Sequence, residues 1–129
     1  MENNFSAHLL SDTSFDFDPN MTRVPVRLPW YRSLPMSVVE VASLKIDGTD
    51  VPPEKIELEI NGKRFGLSQL PELTEEWWYV LDSAVLHVSG AALRVGSREH
   101  TVELVLNLYP PYIPGMTWVT KSTKSVQLN

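Results

Sequence analysis

Cysteine is absent from the chain. Disulfides and thiolate zinc sites are therefore excluded, and the composition suits a reducing compartment, so a cytoplasmic location is expected. An excess of positive charge is missing too. Sixteen acidic residues outnumber eleven basic ones, for a net charge of −5. Nucleic-acid affinity rests mainly on phosphate neutralisation, and a chain with this balance and no basic stripe is not expected to bind nucleic acid. No apolar run approaches the ~18 residues of a membrane span. The first residues, "MENNFSAHLLSD", lack the basic start and sustained apolar core of a secretory signal. Helical periodicity is scarce as well: no 3.6-residue apolar pattern lasts three turns.

The signatures of an active site are also missing. No glycine-rich loop leads into a helix, and no serine lies in a Gly-x-Ser-x-Gly elbow. The three histidines, His8, His87 and His100, have no metal-ligand neighbour at a recognisable spacing. His87, flanked by Leu86 and Val88, reads as a structural or surface histidine. Glu75 and Glu76 would point to opposite faces of a strand and read as a solvated turn. Asp16 and Asp18 share a face opposite Phe15 and Phe17, but two carboxylates are too few for calcium. That segment reads as an alternating edge strand. No catalytic residue and no metal ligand is assigned to this chain.

Alternation and turns are what the sequence does have. Its 129 residues suit one domain, with residues 1–22 an N-terminal edge strand or extension. In "EKIELEINGKRFGL", residues 54–67, Ile56, Leu58 and Ile60 alternate with glutamates and run into Asn61-Gly62. That pair predicts a two-residue hairpin with Leu58 facing Phe65, Ile56 facing Leu67 and Ile60 facing Lys63. In "HTVELVLNLY", residues 100–109, Val102, Leu104, Leu106 and Leu108 form a single row. Residues 37–48 read as a strand or bent strand ending at Asp47-Gly48, and 76–90 as a strand bent near Asp82-Ser83. "TRVPVRLP" reads as extended, with Pro25 and Pro29 arguing against a central position. "FSAHLLSDTSFDFD" and "KSVQLN" read as weaker edge strands, and helix is limited to a turn around residues 67–74. Seven to eight short strands with turns between them predict an all-β, antiparallel β-sandwich of the immunoglobulin or fibronectin kind.

Ten prolines punctuate the chain. They cluster around aromatics in two places. In "RLPWYRSLPMS" they bracket Trp30, Tyr31 and Arg32, the residue types most enriched at interface hot spots. Stiff flanks reduce the order lost on docking. The alternative is that Trp30 and Tyr31 simply alternate, one into the core and one out. In "LYPPYIPGMTW", Tyr109, Tyr112 and Trp118 share a stretch with three prolines that cannot continue the preceding strand. It reads as a rigid, apolar loop that either folds back on its own domain or is covered by a partner.

"YRSLP" at residues 31–35 is followed by "SVVE" at 37–40 and the Asp47-Gly48 turn. Trp77-Trp78 and Gly96…His100-Thr101-Val102 come later. This set resembles the small β subunit of bacterial C-glycoside deglycosidases. The likeness covers roughly residues 23–110. The resemblance implies a β-sandwich that assembles with a larger α subunit of TIM-barrel type. That subunit would carry a divalent metal, commonly manganese, and the acid/base groups. The assembly would cleave the carbon–carbon bond between a sugar, already oxidised at C3, and an aromatic aglycone. The present chain would be the non-catalytic, metal-free subunit. Trp30, Tyr31 and Arg32 would face the partner, with Tyr109, Tyr112 and Trp118 as further candidates. A free-standing carbohydrate-binding or protein-interaction β-sandwich, using the same aromatics as stacking platforms, is the competing reading.

Overall fold

In a computed structural model, residues 6–12, 14–17, 20–90 and 99–127 are described. Two Asx-Gly turns organise the strands. Asp47 and Asn61 have φ of 53° and 54°, and the glycines after them 81° and 75°. Positive φ at both central positions gives the turn whose twist matches the flanking strands. The first turn joins β4 (Val39–Ile46) to β5 (Thr49–Asp50), and the second joins β6 (Ile56–Ile60) to β7 (Lys63–Gly66).

Leu58 lies opposite Phe65 and Ile60 opposite Lys63, as the turn dictates. Ile56 departs from the expected pairing. β7 ends at Gly66, Leu67 enters a 3-10 turn spanning Leu67–Glu72, and Ile56 instead lies opposite Val88 of β9 (Ser83–Ser89).

The remaining strands are β1 (Asp16–Phe17), β2 (Met21–Arg27), β3 (Leu34–Pro35), β8 (Trp77–Trp78), β10 (Glu99–Leu108) and β11 (Trp118–Gln127). One sheet has the order β1-β2-β9-β6-β7 and a second β11-β10-β4-β5, while β3 and β8 form a short ribbon. Every pairing among the described residues is antiparallel. The fold is an all-β sandwich. Seven of its strands have four residues or more, and the other four are two-residue pieces.

Alternation fills the space between the sheets. Val24, Val26, Leu86, Val88, Leu58 and Ile60 from one sheet meet Leu44, Ile46, Val102, Leu104, Leu106 and Leu108 from the other, all essentially buried. In β4 the inward row changes parity. Val41 lies opposite Leu106 but Ser43 opposite Val105, so the extra residue is a bulge. It carries the buried row from Val39 to Leu44 and Ile46.

Three further expectations need correction. Residues 6–10 are not a strand: Ser6–Leu9 is one helical turn (α1). It buries the consecutive Leu9 and Leu10, which strand alternation would separate. Asp16–Phe17 does form an edge strand, whereas Asp18 lies outside the described residues. Residues 76–90 are not a single bent strand. They break at a turn in which the Asp82 amide donates to the Tyr79 carbonyl (2.9 Å), sending β8 and β9 to different sheets. The last strand is longer than "KSVQLN" and starts at Trp118. Its inward row holds the hydroxyls of Thr120 and Ser122, so little alternation shows in the sequence.

Pro25 sits where β2 has a neighbour on one side only. β1 pairs with Thr22 and Arg23 and stops, while β9 runs along the whole of β2. On the open side a missing N–H costs no ladder bond. No helix among the described residues is long and apolar enough to cross a membrane.

Candidate partner interface

The segment after β2 leaves the first sheet at Leu28, and Pro29 starts its turn. Trp30 points inward and is 5% exposed, while Tyr31 points out and is 62% exposed. The alternation reading therefore describes these two residues. The Trp30 ring packs edge-on against Trp118 at 5.2 Å and tilts against Tyr31 at 5.0 Å. Its indole N–H donates to the hydroxyl of Tyr112. A buried indole N–H needs such a partner.

Tyr112 is the keystone of the cluster. It stands in the proline-rich loop between β10 and β11, where the Ile113 amide donates to the Pro110 carbonyl (3.1 Å) and Gly115 takes a positive φ of 78°. Its hydroxyl accepts from Trp30 and donates to the hydroxyl of Tyr31 at 3.5 Å. The Arg32 guanidinium stacks 5.1 Å from its ring centroid. Burial, then the contact with Tyr31, raises the Tyr112 phenol above its ordinary range.

Tyr109 is held separately. Its hydroxyl donates to Glu40 Oε1 at 2.7 Å, and Asn107 Nδ2 donates to the same oxygen at 2.9 Å. Asn107, then Tyr109, holds the Glu40 carboxyl below its usual range, and the carboxylate in turn raises the Tyr109 phenol.

Of the six candidate residues, Tyr31, Arg32, Tyr109 and Tyr112 are exposed. Trp118 is half-buried. Trp30 differs from the expectation that it faces a partner: its ring is consumed by the domain and braces the tyrosines from behind. The loop thus folds back in part and leaves Tyr109, Tyr112 and Ile113 open.

Sequence reasoning missed a neighbouring strip. Trp77, Tyr79 and Leu81 are 41%, 54% and 83% exposed. β8 pairs with Leu34 and Pro35, and the Val80 amide donates to Ser33 Oγ at 2.9 Å. The strip therefore lies beside Arg32 in space. Trp77-Trp78 read as part of one strand, but Trp78 is fully buried, with its N–H on the Asp82 carbonyl (2.8 Å), and Trp77 faces out. The signal available was the apolar content of residues 77–81, too high for a strand with one face in water.

Among the described residues no three His, Asp or Glu side chains are grouped so as to hold a metal ion. His87 and His100 are buried beside single carboxylates, Glu59 at 2.6 Å and Asp47 at 2.7 Å. Glu76 accepts from Asn61 and Lys63, fixing the β6–β7 turn to the segment before β8. Gly96 lies outside the described residues.

A family model described as the C-glycoside deglycosidase beta subunit matches residues 22–112. A C-glycoside deglycosidase beta subunit of Microbacterium trichothecenolyticum is 47% identical over 90 residues, covering 70% of this chain and 67% of the relative. A 3'-dehydrocarminate deglycosidase beta subunit of a Microbacterium species is 32% identical over 110 residues, covering 85% and 82%. A C-glycoside deglycosidase beta subunit of Arthrobacter globiformis is 40% identical over 90 residues, covering 70% and 68%. The matched region contains the tyrosine–arginine cluster up to Tyr112.

Proposed function

We propose, from the premise that the chain belongs to the C-glycoside deglycosidase beta subunit family, that it is the supporting subunit of a hetero-oligomeric carbon–carbon lyase. Its partner is a catalytic α subunit of TIM-barrel type, and the complex works in the cytoplasm. The substrate is a C-glycoside whose sugar carries a 3-oxo group. That group acidifies the C2 proton, and its removal gives an enolate. Collapse of the enolate breaks the bond from sugar to aryl carbon as that carbon gains a proton. The divalent metal, of the manganese type, and the proton-transfer groups belong to the partner.

One observation carries the docking role. Tyr31, Arg32, Tyr109 and Tyr112 are exposed together, yet each is held by a named contact before any partner arrives. Hot-spot residue types that are already immobilised lose little freedom on binding. Arg32 presents a guanidinium whose stacking on Tyr112 leaves its N–H groups free for a carboxylate or carbonyls of the α subunit.

Co-expression tests this. Arg32→Ala is expected to weaken co-purification with the α subunit at least tenfold and to lower deglycosidase activity in parallel, while the chain keeps its strand circular dichroism. Tyr112→Phe strands the Trp30 N–H and is expected to lower the chain's own stability by about 1 kcal/mol as well. Full-strength complex with both variants would sink the docking assignment. Turnover by the purified chain alone would sink the supporting role.

A further inference from the structure

A leucine stands at the tip of a turn that the fold pins from several sides. Tyr79, Val80, Leu81 and Asp82 form the turn between β8 and β9, closed by the Asp82 amide on the Tyr79 carbonyl (2.9 Å). The Val80 amide donates to Ser33 Oγ, the Trp78 indole N–H to the Asp82 carbonyl and Arg27 Nη1 to the Leu81 carbonyl, at 2.9, 2.8 and 3.4 Å. Leu81 takes the third position of this turn, where Gly, Asn, Asp and Ser are the usual residues. It is 83% exposed. A side chain that stays in water adds little to the fold that holds it.

Leu81 is not isolated. Exposed Trp77 and Tyr79 precede it, alternating with buried Trp78 and half-buried Val80, so three large side chains stand in one row. The row does not offer a backbone edge, because Asn61 Nδ2 donates to the Trp77 carbonyl at 2.8 Å. Its exposed apolar surface is on the order of 300 Å², whereas a stable interface takes about 800 Å² from each partner. The row is therefore too small for a partner of its own and belongs to a larger surface. That surface adjoins it: β3 and β8 run antiparallel, and the Val80–Ser33 bond continues their pairing toward Arg32 and Tyr31. Charge at the two ends of the row has one sign. Glu75 and Asp82 are exposed, and neither is in an ion pair among the described residues.

We infer that the Tyr79–Asp82 turn is a preformed knob for the catalytic α subunit, with Leu81 seated in an apolar socket whose rim carries lysine or arginine. The inference rests on the docking reading above and extends it from the tyrosine–arginine cluster to a second anchor of stated chemistry. Trp77 and Tyr79 lie over the mouth of the socket and exclude water from it. Glu75 and Asp82 meet the basic rim. The bonds that pin the turn leave little freedom to lose on seating. Burial of the leucine holds the complex, while opposite charges at the rim speed the encounter.

Binding of the full chain to the immobilised α subunit, with association and release followed separately, tests the knob. Leu81→Ser, a turn-forming residue at an exposed position, is expected to keep the thermal midpoint and to raise Kd about tenfold or more, mainly through faster release. Leu81→Met, apolar and of similar volume, should stay within about threefold of the parent. Asp82→Lys should slow association several-fold at low salt and lose that effect at high salt. Parent affinity in Leu81→Ser beside a weakened Arg32→Ala overturns the knob and leaves the docking reading standing. Parent affinity in both variants ends both. Self-association of the chain that Leu81→Ser abolishes, seen by sedimentation, puts a second copy on the row instead. An Asp82→Lys variant that associates no more slowly overturns the basic rim.

Discussion

Single side chains do two separate jobs in this molecule. Some fasten the N-terminal arm. Asp12 accepts from the Ser14 amide and hydroxyl through Oδ1, at 2.9 and 2.6 Å, and from the Ser83 hydroxyl through Oδ2 at 2.8 Å. These bonds, those from Ser14 first, lower its pKa from 3.8 to about 2. A carboxyl depressed on folding stabilises the fold above its ordinary pKa, and that contribution is lost as pH falls toward the folded value. Asp12→Ala is therefore expected to cost about 1 kcal/mol at neutral pH, after allowance for solvent screening. The gap between variant and parent in urea midpoint should shrink from pH 4 toward pH 2. A gap independent of pH would mean that the effect is not electrostatic. Phe17 completes the attachment by stacking on His100 at 4.7 Å, while the exposed Arg23–Asp16 pair at 2.8 Å adds little. Other side chains brace those that face outward: Trp30 is the clearest case, a buried ring that sets the posture of Tyr112 and Tyr31.

Elements show which local signals were strong enough to read from the sequence. The β6–β7 hairpin and the β10 row were legible because a short-range rule decides each: the Asn-Gly turn in one, a period of two in the other. Gly62 tests the turn rule without interference from packing. A Cβ there would meet nothing within 4 Å, yet φ is 75°. Gly62→Ala should therefore cost about 1 kcal/mol through backbone strain alone, read as a lower thermal midpoint with an unchanged strand spectrum. A neutral substitution would mean the turn relaxes. β11 and α1 were not legible. The inward row of β11 is hydroxyl-rich and is held by its long pairing with β10, and α1 is too short to show a period.

For the whole molecule, the consequence is polarity from end to end. The tyrosine–arginine cluster and the Trp77–Leu81 strip occupy one end, and Met21 and Ser89 lie at the other end of the β2–β9 pair. Hydrogen exchange on the assembled complex should therefore protect residues 30–33, 77–81 and 109–113 against the chain alone, and leave Met21, Ser68 and Ser89 unchanged. Uniform protection, or protection at the Met21 and Ser89 end only, would place the partner elsewhere.

By itself the amino-acid sequence determined the class of the fold, the Asn-Gly hairpin and the inward row of β10. Each depends on residues near one another in the chain or on composition. Tertiary structure alone decided that Trp30 braces while Tyr31 is presented, that Tyr112 reaches back to both, and that Trp77, Tyr79 and Leu81 adjoin Arg32. It also decided that His87, on the outer face of β9, is buried beside Glu59. These are contacts across as many as 82 residues of chain. No local pattern encodes them, because burial is set by which sheet face the chain happens to cross.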